Sequence, residues 1–258
     1  GATTGNTAAR RFLTLRNASE GRFYGTIGQL DDTGKASYNG LFLQVQRRLK
    51  NGLSALTNWT LSKCMSDPAT TEITGPTIVN PANPDLDYAT CSSDRRHVVN
   101  VSLVWTSPKF DGALGRVFGN WQISPLVRFQ TGNRSTVTTG VDNALTGVGG
   151  QRGVQILDNV YGDGTENNYL NRAAFTTPTT GTYSTLKPFT IVNPSILQND
   201  IAISRTFTVQ KTKTVQFRWE VFNVLNHVNF NAPITALNNA NFGKIQSAGD
   251  PRIMQFAL

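Results

Sequence analysis

The sequence predicts an all-β fold: an antiparallel outer-membrane β-barrel segment of about eight strands, with short turns at one end and long loops at the other. Three observations carry this. Apolar and polar residues alternate with a period of two over long stretches. Short and long connections alternate along the chain, which puts every long loop at the same end of the sheet. The polar face is made of Gln, Asn, Ser, Arg and Glu rather than the Lys-rich set common on water-facing sheets, and it suits a wet lumen.

The elements follow in chain order. Leu41, Leu43 and Val45 alternate with Gln44 and Gln46, and Lys50-Asn51-Gly52 signals a hairpin, because Asn-Gly accepts the positive φ of a tight primed turn. After it, Leu53, Ala55, Thr57, Trp59 and Leu61 oppose Ser54, Asn58, Thr60 and Ser62. The stretch 66–94, rich in Pro, Asn, Gly and Thr, is the first long loop. Val99, Val101, Leu103 and Trp105 then share one face, with Asn100 and Ser102 on the other. A moderately short turn from Pro108 to Asn120 leads to Trp121, Ile123, Pro125, Val127 and Phe129, which alternate with Gln122, Ser124, Leu126, Arg128 and Gln130. Beyond the second long stretch, 132–195, come Ile201 and Ile203, a short turn from Gln210 to Lys213, and Val215, Phe217, Trp219 and Val221 against Gln216, Arg218 and Glu220. The third long stretch is 227–250, and Met254, Phe256 and Leu258 close the pattern.

On this reading Val101, Leu103, Ile123, Val127, Phe217 and Trp219 point out of the barrel, and Gln122, Arg128, Gln216, Arg218 and Glu220 line its lumen. Trp105 and Trp121 flank the 108–120 turn, as an aromatic girdle at a membrane boundary would. The same two side chains would be plain core tryptophans in a soluble β-sandwich, which also alternates. Loop asymmetry favours the barrel.

Composition narrows the function. Of 258 residues, 24 are Lys or Arg and 16 are Asp or Glu, a net charge of +8, yet only 16% are charged. The basic residues are scattered, as at Arg47, Arg48, Arg128, Arg205 and Arg218, with no stripe that would fit nucleic acid. Lumen lining and snorkelling toward headgroups account for them. No apolar run approaches the ~20 residues of a spanning helix.

The chain carries no HExxH, CxxC or phosphate-loop motif, and the reading calls for no cofactor. His97 and His227 are the only histidines. His97 falls on the strand face opposite Asn100 and Ser102, so that strand alone assembles no catalytic triad, and the expectation is a protein that is not an enzyme. Asp85 with Asp87, and Asp158 with Asp163 and Glu166, are acidic enough for Ca²⁺ but lack the spacing of a known calcium loop; solvated loop acids are the default. Cys64 and Cys91 stand at the two ends of the first long loop. In an oxidising exterior a disulfide is favoured there; in a reducing compartment they would be two buried thiols.

Several segments, in order, resemble the C-terminal part of Oar-like TonB-dependent outer-membrane receptors, the group whose N-termini often carry a carboxypeptidase-regulatory-like domain. They are Ser37-Tyr38-Asn39-Gly40-Leu41, Asn58-Trp59-Thr60-Leu61-Ser62-Lys63, Asp94-Arg95-Arg96-His97, Gly119-Asn120-Trp121-Gln122 and Thr139-Gly140-Val141-Asp142-Asn143. Leu170-Asn171-Arg172-Ala173-Ala174-Phe175, the run from Arg218 to His227, Phe242-Gly243-Lys244-Ile245 and the run from Asp250 to Leu258 complete the set. The resemblance implies ligand binding and uptake across the bacterial outer membrane, powered by a TonB system acting through an N-terminal plug. It also implies that the chain is the last third of a barrel of about 22 strands. Its partners would be membrane lipid, the rest of the barrel and plug, the TonB system and a small ligand that the sequence does not name. A small self-contained porin or adhesin barrel, and a soluble β-sandwich binding module, are the alternatives.

Overall fold

The computed structural model describes residues 1–25, 34–67, 79–80, 83–108, 112–147, 150–210 and 213–258. The turn expected between Gln210 and Lys213, and parts of the 66–94 and 108–120 connections, lie outside the described residues.

Seven strands make one antiparallel sheet in sequence order: β1 (Ala36–Lys50), β2 (Leu53–Ser66), β3 (His97–Thr106), β4 (Trp121–Gln130), β5 (Ile196–Gln210), β6 (Lys213–Phe222) and β7 (Ile253–Ala257). A two-residue strand, Ala89–Thr90, pairs with the end of β2 and makes an eighth. The turn between β1 and β2 is Asn51 at φ 53° followed by Gly52 at φ 77°, the left-handed pair a primed turn demands. A Cβ on Gly52 would lie 2.4 Å from the Thr106 carbonyl oxygen, so close backbone approach also requires glycine there. Since each strand pairs with its sequence neighbour, the three long connections all emerge at one end.

Register decides which side chains share a face. Leu53 pairs with Trp105, Trp105 with Ile123, Ile123 with Ile203, Ile203 with Trp219, and Trp219 with Phe256. Paired residues share a face, as do residues two apart on a strand. Val101, Leu103, Ile123, Val127, Phe217 and Trp219 therefore lie on one face, whereas Gln122, Arg128, Gln216, Arg218 and Glu220 lie on the other. The polar face is hydrogen-bonded along itself: Asn100 Nδ2 donates to Asn58 Oδ1 (2.9 Å), Gln198 Nε2 to Asp200 Oδ2 (2.8 Å), and Glu220 pairs with Arg218 and accepts from Gln255.

Much of the apolar face is uncovered, although Val221 and Arg205 on it are buried. Leu41, Val45, Trp105 and Val127 are 36–72% exposed, and no second large sheet covers them among the described residues. A sandwich would have buried this face, so the sandwich reading is set aside; a barrel wall turns it to lipid. The fully buried side chains are elsewhere. Val137, Leu170, Ala174, Phe175, Ile191, Leu237 and Phe242 form one cluster contributed by the connections 131–195 and 223–252. Phe175 and Phe242 meet edge to face at 5.9 Å. The long loops thus fold into a cap with its own core. The N-terminal segment, with short helices Phe12–Arg16 and Ala18–Gly21, touches this cap where Arg10 donates to the Leu145 carbonyl (2.8 Å). Among the described residues β1 and β7 each pair on one side only, and the sheet is not closed.

Candidate functional site

The mouth of the barrel is built where the polar face meets the cap. Cys64, at the end of β2 on the polar face, is disulfide-bonded to Cys91, with Cα atoms 5.4 Å apart. This bond holds the base of the first long loop. Next to it Asp94, buried at 3% exposure, accepts from the Cys64 amide (2.8 Å) and lies 3.7 Å from Arg134 of the second loop. Arg95 donates to the Thr131 carbonyl (2.9 Å); burial, and the like charge of Arg128, push its pKa below the ordinary arginine value. Higher in the cap Asp87 and Arg152 form an ion pair at 3.1 Å, and Arg152 also donates to the Leu86 carbonyl (3.0 Å). Desolvation lowers the Arg152 pKa and Asp87 acts against it. These polar links join loops that are distant in sequence.

Two recesses open on the polar face at this end. One, of about 380 Å³, lies between Gln198, Asp200 and Phe222 of the strands and Phe230, Asn231 and Asp250 of the third loop. The other, of about 300 Å³, lies beside the disulfide among Tyr38, Thr60, Ser62 and Arg95. Both mix hydrogen-bonding and aromatic groups. The first carries two carboxylates, Asp200 and Asp250, and the second sets Asp94 beside Arg95.

The conspicuous run from Arg218 to His227 has a structural use. Asn223 and Asn226 take positive φ (both 51°) where β6 leaves the sheet. Asn223 exchanges side-chain hydrogen bonds with the His227 backbone (2.9 Å each way), and Asn226 accepts from the Arg252 amide (3.1 Å), so the two asparagines fold the turn that frames the larger recess.

Trp105 and Trp121 both lie on the apolar face at the short-turn end. Sequence reasoning missed their companions. Phe217 meets Trp121 edge to face at 6.1 Å, and the Arg205 guanidinium lies over Trp121 and Phe207 at 5.6 and 4.7 Å. A ring pair toward the long-loop end was missed as well: Trp59 stacks on His97 (5.9 Å, interplanar angle 9°), its indole N–H directed at His97 Nδ1 (3.3 Å). From His97 to Trp105 the strand runs about 27 Å, or roughly 20 Å after tilting, near the ~25 Å apolar band of an outer-membrane barrel. Strand alternation puts Trp59 and His97 on one face of adjacent strands, and that signal could have revealed the pair.

Two of the loop acids are engaged by protein groups. Asp87 holds Arg152 and accepts from the Val79 amide (3.1 Å), while Asp163 accepts from both the amide and hydroxyl of Thr165, which lower its pKa. No group of three or more His, Cys, Asp or Glu placed to hold a metal occurs among the described residues. His97 lies under Trp59 on the face opposite Asn100 and Ser102, as its parity predicts.

The family model described as an outer membrane beta barrel domain matches residues 1–255. No curated protein and no solved structure gives a significant match. With the largely uncovered apolar face, the polar opposite face and all long loops at one end, this match shows that the chain belongs to the outer membrane beta barrel domain family and resides in the bacterial outer membrane.

Proposed function

We propose that the chain is the C-terminal part of a TonB-dependent receptor barrel, that it binds a ligand at the loop-capped mouth, and that it passes the ligand inward by TonB-driven uptake. It acts by binding rather than by catalysis. The observation that carries this reading is the open sheet. In hydrocarbon each unpaired backbone group costs several kcal/mol, so the free edges of β1 and β7 call for further strands between them. A narrow barrel closed from these strands alone would crowd Arg128, Arg218 and Glu220 in its interior, where charges need partners. A wider barrel gives them water. The ordered resemblance to Oar-like receptors supports the same conclusion.

Planar-bilayer conductance of the protein purified from outer membranes, with photo-crosslinking to TonB in energised cells, tests this. The expected result is a closed channel and a TonB adduct. A steady open pore without an adduct overturns the proposal in favour of a porin-type barrel.

A further inference from the structure

The connection between β3 and β4 is more than a turn. Residues Gly112–Phe118 form a helix, and its position is fixed by side chains from the sheet. Arg205 donates to the carbonyls of Val117 (2.7 Å) and Gly115 (3.2 Å), and the Trp121 indole N–H donates to the same Val117 carbonyl (2.8 Å). Arg205 and Trp121 are direct partners across β5 and β4, and Ile203 and Ile123, two residues along each strand, continue their face. Both anchors therefore rise from the apolar face. The helix lies outside the wall and does not reach under the lumen.

An arginine on a lipid-facing wall needs an explanation. Arg205 is 8% exposed, covered by the rings of Trp121 and Phe207, with its positive charge against the helix's C-terminal carbonyls. The Val117 carbonyl belongs to the last turn, which carries the negative end of the helix dipole, while the Gly115 carbonyl also accepts from the Gly119 amide (3.2 Å). Two of the three guanidinium nitrogens, Nη1 and Nη2, thus find acceptors on a surface otherwise closed to the charge. Ser107 completes the attachment: its hydroxyl donates to the Phe118 carbonyl and accepts from the Trp121 amide, each at 2.9 Å. At the end of the helix Val117 is 56% and Phe118 59% exposed, next to the Trp121–Phe217 aromatic pair that shares the clamp residue Trp121.

We propose that the Gly112–Phe118 helix is an interfacial anchor: clamped by Arg205 and Trp121 to the outer wall at the short-turn end, it inserts Val117 and Phe118 into the inner leaflet of the outer membrane and fixes the barrel's depth. The occupant of this surface is phospholipid, because the patch is continuous with the lipid-facing wall and lies at its aromatic border. Such a helix sits about 5–10 Å into the headgroup–acyl boundary. The proposal is independent of the uptake reading and needs only the barrel.

The test places an environment-sensitive NBD dye on Phe118→Cys, attached without reductant so that the Cys64–Cys91 bond is kept. The full protein is reconstituted in phosphatidylethanolamine–phosphatidylglycerol vesicles. Nitroxides are introduced at the headgroup, at acyl carbon 5 or at acyl carbon 12, using spin-labelled lipid. Dyes on Val127→Cys, mid-wall, and Asn51→Cys, at the short turn, give the two references. Quenching at position 118 is expected to be strongest with the carbon-5 nitroxide, whereas position 127 responds most to carbon 12 and position 51 to none. Emission and quenching at 118 matching position 51 would overturn the proposal. Adding Arg205→Gln is expected to bring position 118 to the position-51 level while position 127 is unchanged; persistence of carbon-5 quenching would overturn the clamp. Arg205→Lys, which keeps the charge but loses the fork, gives the same readout if the Gln variant does not insert.

Discussion

Replacing Arg152 with Ala is expected to destabilise the loop cap by about 3–5 kcal/mol, because a buried charge left without its partner is far costlier than the pair was worth. The pair lies 3.1 Å apart, with side chains 5% and 8% exposed. At that distance the attraction is about 5 kcal/mol for an effective dielectric constant of 20, while desolvation costs several kcal/mol per ion, so the intact pair sits near break-even. Removing Arg152 strands Asp87 and also frees the Leu86 carbonyl. The double variant Arg152→Met with Asp87→Leu should recover most of the loss, short of about 1–3 kcal/mol for the Val79 amide that Asp87 accepts from. Hydrogen exchange reads this directly at the Thr139 and Gly153 amides, which bond to Gln151 and Val137 on either side of Arg152, with Val101 as the sheet control. Protection should fall in the cap and hold in the sheet for the single variant, then return in the double. Unchanged cap protection in Arg152→Ala, or a double variant worse than the single, would refute the reasoning.

Cys64→Ser should release the first loop at a cost of about 3–4 kcal/mol for a closed loop of this length; before any mutation, alkylation of the unreduced, unfolded protein should add nothing, and two adducts would contradict the bond. Trp219→Arg, on the apolar face where Trp219 stacks on Phe256, should cost about 2–4 kcal/mol near mid-membrane, whereas Gln216→Arg on the polar face should stay within about 0.5 kcal/mol; urea unfolding in lipid vesicles compares the two. Desolvation of the half-buried Tyr169, with the neighbouring Tyr161 adding to it, pushes its pKa up to about 12; its hydroxyl donates to the Val192 carbonyl. Its folded form holds the proton more tightly than the unfolded one, so its contribution to cap stability is complete below the ordinary tyrosine pKa of about 10 and is lost as pH rises through 12. Ultraviolet titration at the tyrosinate band should show one late tyrosine, absent in Tyr169→Phe.

The wall was legible because a strand repeats its environment every second residue. Trp121 to Gln130 states its two faces in ten letters, and pairing with β5 repeats the statement. The exceptions mark where neighbours overrule the pattern: Arg205 occupies an apolar-face position where the 112–118 helix supplies carbonyl acceptors to both Nη atoms, a contact that no local period encodes. That helix spans seven residues, two of them glycine, too few turns to show a helical stripe, and it looked like part of a turn. The cap was illegible for a different reason. Its core draws Val137, Phe175, Ile191 and Phe242 from segments up to 105 residues apart, with no repeat between them. The mouth was only partly readable: the two cysteines stand out by rarity, whereas Asp94–Arg134 and Asp87–Arg152 look like any solvated loop charges until the loops are brought together.

The central claim is that one face of this sheet meets lipid and the other meets water. A nitroxide scan through β4, one label at a time from Trp121 to Gln130, with the protein in phospholipid vesicles, tests it most directly by comparing collision with oxygen and with a water-soluble nickel chelate. The account predicts a period of two: oxygen dominates at Ile123, Val127 and Phe129, and the chelate at Gln122, Ser124 and Arg128. A flat profile, or one in which Gln122 and Arg128 take the oxygen maxima, would contradict it.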